Sequence, residues 1–447
     1  MKKVLVLGAG LVSKPLVQYL LKKGFAVTVA TRTVSKAEAL LDGHPNGRAK
    51  AWTVEDKPGL QALVREADLA VSLLPAAYHV LVAEECVAQK KSMVTTSYVS
   101  PAMRALDAKA EAAGVLILNE LGVDPGIDHM SAMKVIDGVK KEGGQVVSFR
   151  SYCGGLPAPE ANTNPWGYKF SWSPRGVLVA GKNSARYLKD GEQVDIPAPQ
   201  LFADTHMLDV PGFGELEAYP NRDSMGYIDL YGLRGARTVF RGTLRYKNWR
   251  SVLVKVANSG LLDDVERDFQ GMTFKMFTAA VVTQGKPETV KADVAAKFGV
   301  PTDSNAVAWL EWLGLFGDER LPLAKGGPID VMAARMVEKM SYAEGERDLL
   351  VMHHEFVADY PSQGRSEKIT STLLDFGIPG GDSSMARTVS LPAAMAARLV
   401  LEGKIKGQGV RIPVKPAIYE PLLKELEQME NGIHFKEART ELTRAGG

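Results

Sequence analysis

Two glycines near the start of the chain have the spacing of a turn that binds phosphate groups. Gly8 and Gly10 follow the apolar run at residues 4–7 and precede an amphipathic stretch at residues 14–21. Gly8 permits a tight turn, and Gly10 lets the backbone approach a pyrophosphate, whose charge is stabilised by free N–H groups at the start of a helix. Ser13 stands where the common pattern has a third glycine, and a small hydroxyl is tolerable there. The turn predicts a dinucleotide site.

Arg32 indicates which dinucleotide is bound. It follows a second apolar run at residues 25–30, where NAD sites usually carry an acidic residue that holds the ribose 2′-hydroxyl. This sequence has Thr31, Arg32 and Thr33 at that point. A carboxylate would repel a 2′-phosphate, whereas a guanidinium and a hydroxyl would bind one. We therefore predict NADP(H).

Polar residues follow several later apolar runs, at the expected carboxyl ends of strands. They are Ser72, Thr95, Thr96, Ser97, Tyr98, Asn119 and Glu120. In a doubly wound parallel sheet, ligands bind beyond the carboxyl ends of the strands, so these residues are expected near the nicotinamide ring and its substrate. Asp124, in the turn that follows, either stabilises its loop as an Asx turn or faces the substrate.

Three residues of the second half could also take part in chemistry. Cys153 is predicted to end a strand before two glycines, and Arg222 and Arg245 lie at strand or turn ends. Arginines there suit bidentate capture of carboxylates, although each also fits an exposed strand end. Cys153 is either a small buried side chain or a contributor to proton transfer. His353 and His354 would point to opposite faces of a strand, so we predict no metal site.

The elements that must position these residues alternate between strand and helix in the first half. Strands are predicted at residues 4–7, 25–30, 49–54, 68–75, 92–97 and 114–119. Helices are predicted at residues 14–21, 35–41, 77–89, 102–113 and 130–139. This alternation is typical of an α/β Rossmann fold with a doubly wound parallel sheet.

The second half predicts a different architecture. Strands are expected at residues 145–152, 176–179, 238–246 and 348–358, and helices at 274–282, 287–298, 305–316 and 328–340. The last helices, at 390–401 and 422–429, are expected to pack back on the first sheet. We predict a Rossmann domain (1–130 plus 390–447), an α+β domain for substrate binding and dimerisation (131–260 plus 341–389) and an all-helical insertion (261–340).

Composition excludes several classes of protein. The 447 residues are 45% hydrophobic and 24% charged, and 54 basic residues nearly balance 52 acidic ones. This is ordinary for a soluble globular protein and does not favour nucleic acid as a partner. The two cysteines suggest no disulfide framework, which fits the cytoplasm. No apolar run approaches the length that spans a bilayer, so no membrane association is expected.

Several motifs together resemble the saccharopine reductases, the NADP-dependent, L-glutamate-forming saccharopine dehydrogenases. The resemblance covers essentially the whole chain. The matching segments are residues 8–12, 95–101, 119–129, 152–160, 167–173, 219–224, 241–246 and 344–348. It implies that NADPH reduces the imine of L-glutamate and 2-aminoadipate 6-semialdehyde to L-saccharopine in the aminoadipate route of lysine metabolism. It also implies a homodimer, but not which direction runs in the cell.

The resemblance assigns roles to individual residues. Substrate contacts are carried over to Ser97, Asp124, Arg222, Thr243, Leu244 and Arg245. Cofactor contacts are expected at Gly8 in the turn and, by resemblance, at Ala9, Gly10, Leu11, Val12, Ala30, Thr31, Arg32, Trp52, Thr53, Leu73, Thr95, Thr96, Gly122, Val123 and Trp172. An iminium accepts hydride more readily than a neutral imine, so the Asp124 carboxylate is our catalytic candidate. Tyr98 and Cys153 are candidates for proton exchange.

Other interpretations remain open. A related enzyme for carboxynorspermidine or homospermidine synthesis would act on substrates with fewer carboxylates, and Arg222 and Arg245 argue against it. The lysine-forming saccharopine dehydrogenase uses NAD, and its glycine turn lies differently in the chain. A non-catalytic NADP sensor would be expected to lose Asp124 or the arginines, and all three are present.

Overall fold

The computed structural model describes residues 1–442, and its strands alternate with helices over the first third of the chain. The strands are β1 (Lys3–Leu7), β2 (Ala26–Thr31), β3 (Gly47–Ala51), β4 (Leu69–Ser72), β5 (Ser92–Thr95), β6 (Leu116–Leu118), β7 (Gln145–Pro157), β8 (Ala185–Lys189), β9 (Glu192–Ile196), β10 (His206–Val210), β11 (Gly214–Pro220), β12 (Thr238–Arg245), β13 (Arg267–Asp268), β14 (Lys325–Gly326), β15 (Asp348–Tyr360), β16 (Arg365–Phe376), β17 (Gly409–Arg411) and β18 (Phe435–Leu442).

The α-helices are distributed over the whole described chain. They are α1 (Lys14–Lys22), α2 (Val34–Leu41), α3 (Lys57–Glu66), α4 (His79–Ala88), α5 (Pro101–Arg104), α6 (Asp107–Ala112), α7 (Ile127–Lys141), α8 (Pro174–Ala180), α9 (Gly226–Leu230), α10 (Trp249–Ala257), α11 (Phe274–Thr278), α12 (Val290–Phe298), α13 (Asn305–Trp312), α14 (Pro328–Lys339), α15 (Ser384–Leu401) and α16 (Pro416–Gln428). A π-helical turn, Ala279–Thr283, continues α11. No helix within residues 1–442 is both long and apolar enough to cross a membrane.

The chain divides into two compact units. Residues 1–145 and 377–436 form the first, and residues 146–376 with residues 437–442 form the second. The division falls at residue 145 because α7 packs against α16. The Tyr419 hydroxyl of α16 donates a hydrogen bond to Asp137 of α7 at 2.7 Å.

The first unit is built on a seven-stranded sheet in the order β17-β6-β5-β4-β1-β2-β3. Every pair of neighbouring strands is parallel. The central strand β4 is buried along its whole length, as expected of a sheet covered on both faces. The predicted Rossmann fold is confirmed.

The C-terminal helices of the first unit pack where the sequence predicts. Helix α15 contacts α1, β4 and β5. Hydrogen bonds connect the three helices. The Tyr19 hydroxyl of α1 donates a hydrogen bond to Glu425 of α16 at 2.6 Å, and Arg398 of α15 donates one to the Tyr19 hydroxyl at 2.7 Å.

The second unit contains a mixed sheet and a set of helices. The sheet runs β10-β11-β12-β7-β15-β16-β18, with β8 and β9 attached through β12. Strand β12 is parallel to β7 and antiparallel to β11. Between residues 261 and 340 the chain forms α11 to α14, accompanied by the short antiparallel pair of β13 and β14. The α+β character predicted for this half is confirmed.

Two local predictions are wrong. Residues 176–179 form helix α8 instead of a strand, because Pro174 lies in the first turn and the Ser173 hydroxyl caps the helix by accepting a hydrogen bond from the Gly176 N–H at 3.2 Å. Strand β7 also does not end at Cys153 but continues to Pro157. A Cβ on Gly154 would lie 2.7 Å from the Leu244 carbonyl oxygen, so this glycine permits close strand packing and makes no turn.

Candidate functional site

The glycine turn after β1 is organised by Ser13. Gly8 has a φ of +109°, and a Cβ there would lie 2.8 Å from the Leu73 carbonyl oxygen, so only glycine fits. The buried Ser13 hydroxyl accepts a hydrogen bond from the Gly10 N–H at 3.0 Å. A Cβ on Gly10 would meet no protein atom within 4 Å. The residue that replaces the third glycine thus holds the turn, and the space beside Gly10 is open, as a phosphate site requires.

The residues beside Gly10 face outward. Leu11 is 65% exposed and Val12 is half-buried, just ahead of the positive end of α1. Ala9 is half-buried as well. The turn therefore fits the pyrophosphate of a dinucleotide, since its backbone is accessible where the charge of the ligand would lie.

The end of β2 carries the residues predicted to select NADP. Arg32 is exposed, Thr31 is half-buried and Ala30 is buried. The pKa of the Glu55 carboxyl is lowered, mainly by a hydrogen bond from Thr53 and by one from the Glu55 backbone. The nearby charge of Arg32 lowers it further. An exposed guanidinium at this strand end fits a 2′-phosphate.

Some predicted cofactor residues have side chains committed to the core. The Trp52 ring is buried, and its N–H donates to the Asp56 carbonyl at 2.9 Å. The Thr95 hydroxyl is fully buried and donates to the Ser72 carbonyl at 2.9 Å. Thr53 is exposed, while Leu73 and Thr96 are half-buried. The buried side chains of Trp52 and Thr95 therefore pack below the exposed cofactor residues.

Sequence reasoning missed His79, which lies between the ends of β4 and β5. Its Nδ1 lies 2.8 Å from Ser72 Oγ, and its Nε2 lies 2.8 Å from Ser97 Oγ. Burial lowers the pKa of His79 to about 4, so the imidazole is neutral near pH 7. A single histidine in an apolar stretch belongs to no recognisable sequence motif. Only the pairing of Ser72 with Thr95 in the sheet shows that residues 79 and 97 meet.

Tyr98 and Asp124 come together as the candidate catalytic pair. The Tyr98 hydroxyl donates a hydrogen bond to Asp124 Oδ1 at 2.8 Å, and both residues are half-buried. Gly122 and Val123 are buried beneath this turn, and a Cβ on Gly122 would lie 3.2 Å from the Thr96 carbonyl oxygen. The segments after β5 and β6 are therefore in direct contact.

A second buried pair supports the same two segments. Glu120 accepts a hydrogen bond from the Val99 N–H at 2.9 Å, and its other oxygen lies 2.6 Å from His129 Nε2. Glu120 has a left-handed φ of +59°, which is uncommon outside glycine. The carboxylate thus links the segment after β5, the turn after β6 and helix α7.

In the second unit, register places Cys153 next to Thr243. Cys153 of β7 is the partner of Thr243 in β12, and Thr243 is in turn the partner of Tyr219 in β11. Cys153 and Thr243 are half-buried, and Leu244 is fully buried. The Leu244 side chain therefore belongs to the core, and only its backbone can contact a ligand.

Arg245 is a buried cation without an ion-pair partner among residues 1–442. It is 6% exposed, and its guanidinium lies 5.0 Å from the centre of the Tyr168 ring and 5.2 Å from that of the Trp249 ring. Nη1 donates to the Leu244 carbonyl at 2.7 Å, whereas Nε has no partner. An unsatisfied buried guanidinium is costly and indicates a site for an anionic ligand.

Arg222 lies away from Arg245 along the same sheet. It is exposed, has a left-handed φ of +57° and follows the end of β11. Pro220 pairs with Gly242, and Glu217 pairs with Arg245. Gly242 lies three residues before Arg245 in β12, and Arg222 lies two residues beyond Pro220, past the end of β11. Trp172 also belongs to the second unit and is half-buried beside Gly176.

The described residues contain no group of three or more His, Cys, Asp or Glu side chains that could hold a metal ion. His353 bonds Thr372 at 2.8 Å, and His354 is packed against Phe149 and Phe356. Both histidines therefore have roles within the mixed sheet.

Comparisons with known proteins show the family to which the chain belongs. Two family models match the chain: the saccharopine dehydrogenase NADP binding domain at residues 4–118 and the saccharopine dehydrogenase C-terminal domain at residues 122–433. The chain is 41% identical to a saccharopine dehydrogenase [NADP(+), L-glutamate-forming] of Pyricularia oryzae, covering 98% of both proteins. It is 40% identical to the protein of the same name from Saccharomyces cerevisiae, covering 98% of this chain and 99% of that one.

A longer protein and a solved structure are similar too. The mitochondrial alpha-aminoadipic semialdehyde synthase of Bos taurus is 40% identical, over 95% of this chain and 47% of its own length. The apo saccharopine dehydrogenase (L-Glu forming) of Saccharomyces cerevisiae superposes with a TM-score of 0.87 at 38% identity. That superposition covers 98% of this chain and 100% of the yeast chain.

Proposed function

Because the chain belongs to the NADP-dependent, L-glutamate-forming saccharopine dehydrogenase family, we propose how its residues divide the work of the reaction. The protein is an oxidoreductase that uses NADPH to reduce the imine of L-glutamate and 2-aminoadipate 6-semialdehyde to L-saccharopine, and the reaction is reversible. The observation that carries this function is 41% identity over 98% of the chain to an enzyme of that activity.

The first unit holds NADP(H). The backbone at Gly8 to Val12 binds the pyrophosphate, and Arg32 binds the 2′-phosphate. Bound NADPH supplies the hydride that reduces the imine carbon. The adjoining contacts in this unit are proposed at Ala30, Thr31, Trp52, Thr53, Leu73, Thr95, Thr96, Gly122 and Val123. One further cofactor contact is proposed at Trp172, which belongs to the second unit.

Asp124 stabilises the positive charge of the iminium nitrogen, which makes the carbon a better hydride acceptor. The Tyr98 hydroxyl bonds one oxygen of this carboxylate at 2.8 Å and so fixes its orientation. Tyr98 and Cys153 exchange protons during imine formation and at the product amine. In the oxidative direction the substrate amine must be neutral, because an ammonium has no lone pair to support loss of hydride.

The second unit binds carboxylates of the substrate. Arg245 takes one carboxylate into a site that already contains an unsatisfied Nε–H. Arg222, which lies beyond the end of β11, takes another. One long substrate is therefore held by two arginines at separate carboxylates. The Ser97 and Thr243 hydroxyls and the Leu244 backbone complete the substrate contacts.

We further propose a cytoplasmic homodimer. Both cysteines are free thiols, which fits a reducing compartment. Dimerisation is assigned to residues 131–260 and 341–389, the helical insertion to residues 261–340, and cofactor binding to residues 1–130 and 390–447. Light scattering and subcellular fractionation test the assembly and the compartment.

The roles are tested by following absorbance of reduced nicotinamide when the purified protein meets L-saccharopine with NADP or with NAD at mildly alkaline pH. We expect the absorbance of reduced nicotinamide to rise faster with NADP than with NAD, and we expect glutamate as a product. Turnover of a polyamine-type substrate without any turnover of saccharopine would contradict the substrate assignment. NADPH binding that is unaffected by saccharopine would contradict a shared role of the two ligands in catalysis.

A further inference from the structure

His79 joins two serine hydroxyls at the carboxyl ends of neighbouring strands. Nδ1 lies 2.8 Å from the Oγ of Ser72, the last residue of β4, and Nε2 lies 2.8 Å from the Oγ of Ser97, which follows β5. His79 is 3% exposed and Ser72 is fully buried, whereas Ser97 is half-buried. The imidazole therefore connects the interior of the first unit to a proposed substrate contact.

The direction of these hydrogen bonds follows from Ser72. Its hydroxyl has one proton to donate, and within residues 1–442 its only hydrogen-bond partner is His79 Nδ1. The neighbouring Thr95 hydroxyl uses its own proton on the Ser72 carbonyl at 2.9 Å. A buried hydroxyl proton without an acceptor is costly, so Ser72 donates to Nδ1.

The tautomer of His79 is fixed as a consequence. A neutral imidazole whose Nδ1 accepts carries its proton on Nε2. Nε2–H then donates to Ser97 Oγ. With its oxygen already accepting from inside the protein, the Ser97 hydroxyl is left with its own proton for an acceptor outside.

We infer that His79 is a positioning residue that holds the Ser97 hydroxyl as a hydrogen-bond donor toward a carboxylate of saccharopine. This inference rests on the proposed substrate role of Ser97. A donor is the polarity that a carboxylate requires, since an ionised carboxylate only accepts hydrogen bonds. Burial that keeps the imidazole neutral preserves this arrangement at the pH of the reaction.

Two substitutions separate the ends of the imidazole. In H79Q the side-chain amide reaches toward the position of Nε2 and can still donate to Ser97. In H79N the shorter amide reaches toward the position of Nδ1 and contacts only Ser72. We expect H79N to raise the KM for saccharopine by about three- to tenfold, the effect of one hydrogen bond, and H79Q to recover most of this loss. The KM for NADP should change by less than about twofold in both.

The matched control is E84Q, because Glu84 is exposed on the same helix. Thermal unfolding of each variant reports folding separately from KM. In an S97A background, H79N should have no further effect on the KM for saccharopine, since the two residues act through one contact. Two results would overturn the inference while leaving the role of Ser97 intact. One is an equal rise of the KM for saccharopine in H79N and H79Q, and the other is a full further rise when H79N is added to S97A.

An unchanged KM in S97A would instead remove Ser97 from the substrate site, and the inference with it. The tautomer is also measurable without any substitution. Ring nitrogen chemical shifts of ¹⁵N-histidine-labelled protein, with His79 assigned from H79Q, should show an unprotonated Nδ1 and a protonated Nε2. A protonated Nδ1 would overturn the inference directly.

Discussion

The Tyr98 hydroxyl donates a hydrogen bond to Asp124 Oδ1 at 2.8 Å, which joins the segment after β5 to the turn after β6. If Asp124 stabilises the iminium, D124N should lower kcat by about 10- to 100-fold, because it removes a charged partner worth about 1.5 to 3 kcal/mol. Y98F should have a smaller effect, and the double variant should lose less than the two single losses combined. Steady-state kinetics in both directions measure this. Y78F is the control, since Tyr78 is 39% exposed. If the losses of the two single variants added fully in the double variant, Tyr98 and Asp124 would act independently.

Ser13 should support NADP binding better than a glycine at the same position. Because its hydroxyl accepts from the Gly10 N–H at 3.0 Å, S13G completes the common glycine pattern and yet removes a bond of the turn. We expect S13G and S13A to raise the KM for NADP by about three- to tenfold. S35A, at an exposed serine of α2, is the control. Tighter NADP binding in S13G would refute this role.

Arg32 should select NADP over NAD. In R32S the loss of a charged hydrogen-bond donor should weaken NADP by a factor on the order of ten or more and leave NAD nearly unchanged. R48S provides the comparison, because Arg48 is an exposed arginine of the adjacent strand β3. Kinetics with both cofactors decide the matter, and equal losses for NADP and NAD would remove Arg32 from the 2′-phosphate site.

Arg245 should oppose stability without substrate and support it with substrate. Its buried charge has no carboxylate partner among residues 1–442, so R245M should keep or raise the thermal unfolding midpoint of the ligand-free protein. Saccharopine should raise the midpoint of the native protein far more than that of R245M. Equal shifts would show that this guanidinium does not bind the substrate.

Acid should destabilise the first unit through His79. Its pKa is about 4 in the folded protein, against 6.5 for an unburied imidazole. As pH falls below 6.5 the unfolded chain takes up a proton that the folded chain excludes, so stability is lost between pH 6.5 and about 4. The loss for this group approaches about 3 kcal/mol.

Urea unfolding of the native protein and H79Q from pH 7.5 to 4.5 isolates this contribution. Glutamine does not titrate, and the hydroxyls around the ring, from Ser72, Thr95 and Ser97, do not titrate in this range either. The stability of the native protein relative to H79Q should therefore decline as pH falls. A constant difference would show that His79 is protonated in the folded protein at these pH values.

The sequence predicts the first unit well because its signals are local. The apolar run of β1, the glycine turn and the amphipathic α1 lie within one short segment, and the parallel sheet follows from repeated strand and helix. The missed helix α8 also has a local signal, since Ser173 and Pro174 are typical of a helix start. The apolar residues at 177–179 alone favour a strand, and the helix start at Ser173 and Pro174 outweighs them.

Contacts between distant segments could not be predicted in the same way. His79 meets Ser97 because β4 and β5 are adjacent and in a particular register, which no residue spacing encodes. The aromatic surroundings of Arg245 come from Tyr168 and Trp249, one before and one after it in the chain. For Cys153, the two glycines that follow it predict a turn, whereas Gly154 instead permits the close approach of β7 to β12.

The return of the chain to the first unit has a consequence for biosynthesis. Strand β17 completes the sheet beside β6, and α15 contacts α1, yet both follow residues 146–376 of the second unit in the chain. On the ribosome, residues 1–145 emerge with the apolar face of α1 uncovered, and about 250 further residues must be synthesised before Arg398 can reach Tyr19. The first unit is therefore begun first, but it cannot be completed until residues 146–376 of the second unit have been synthesised.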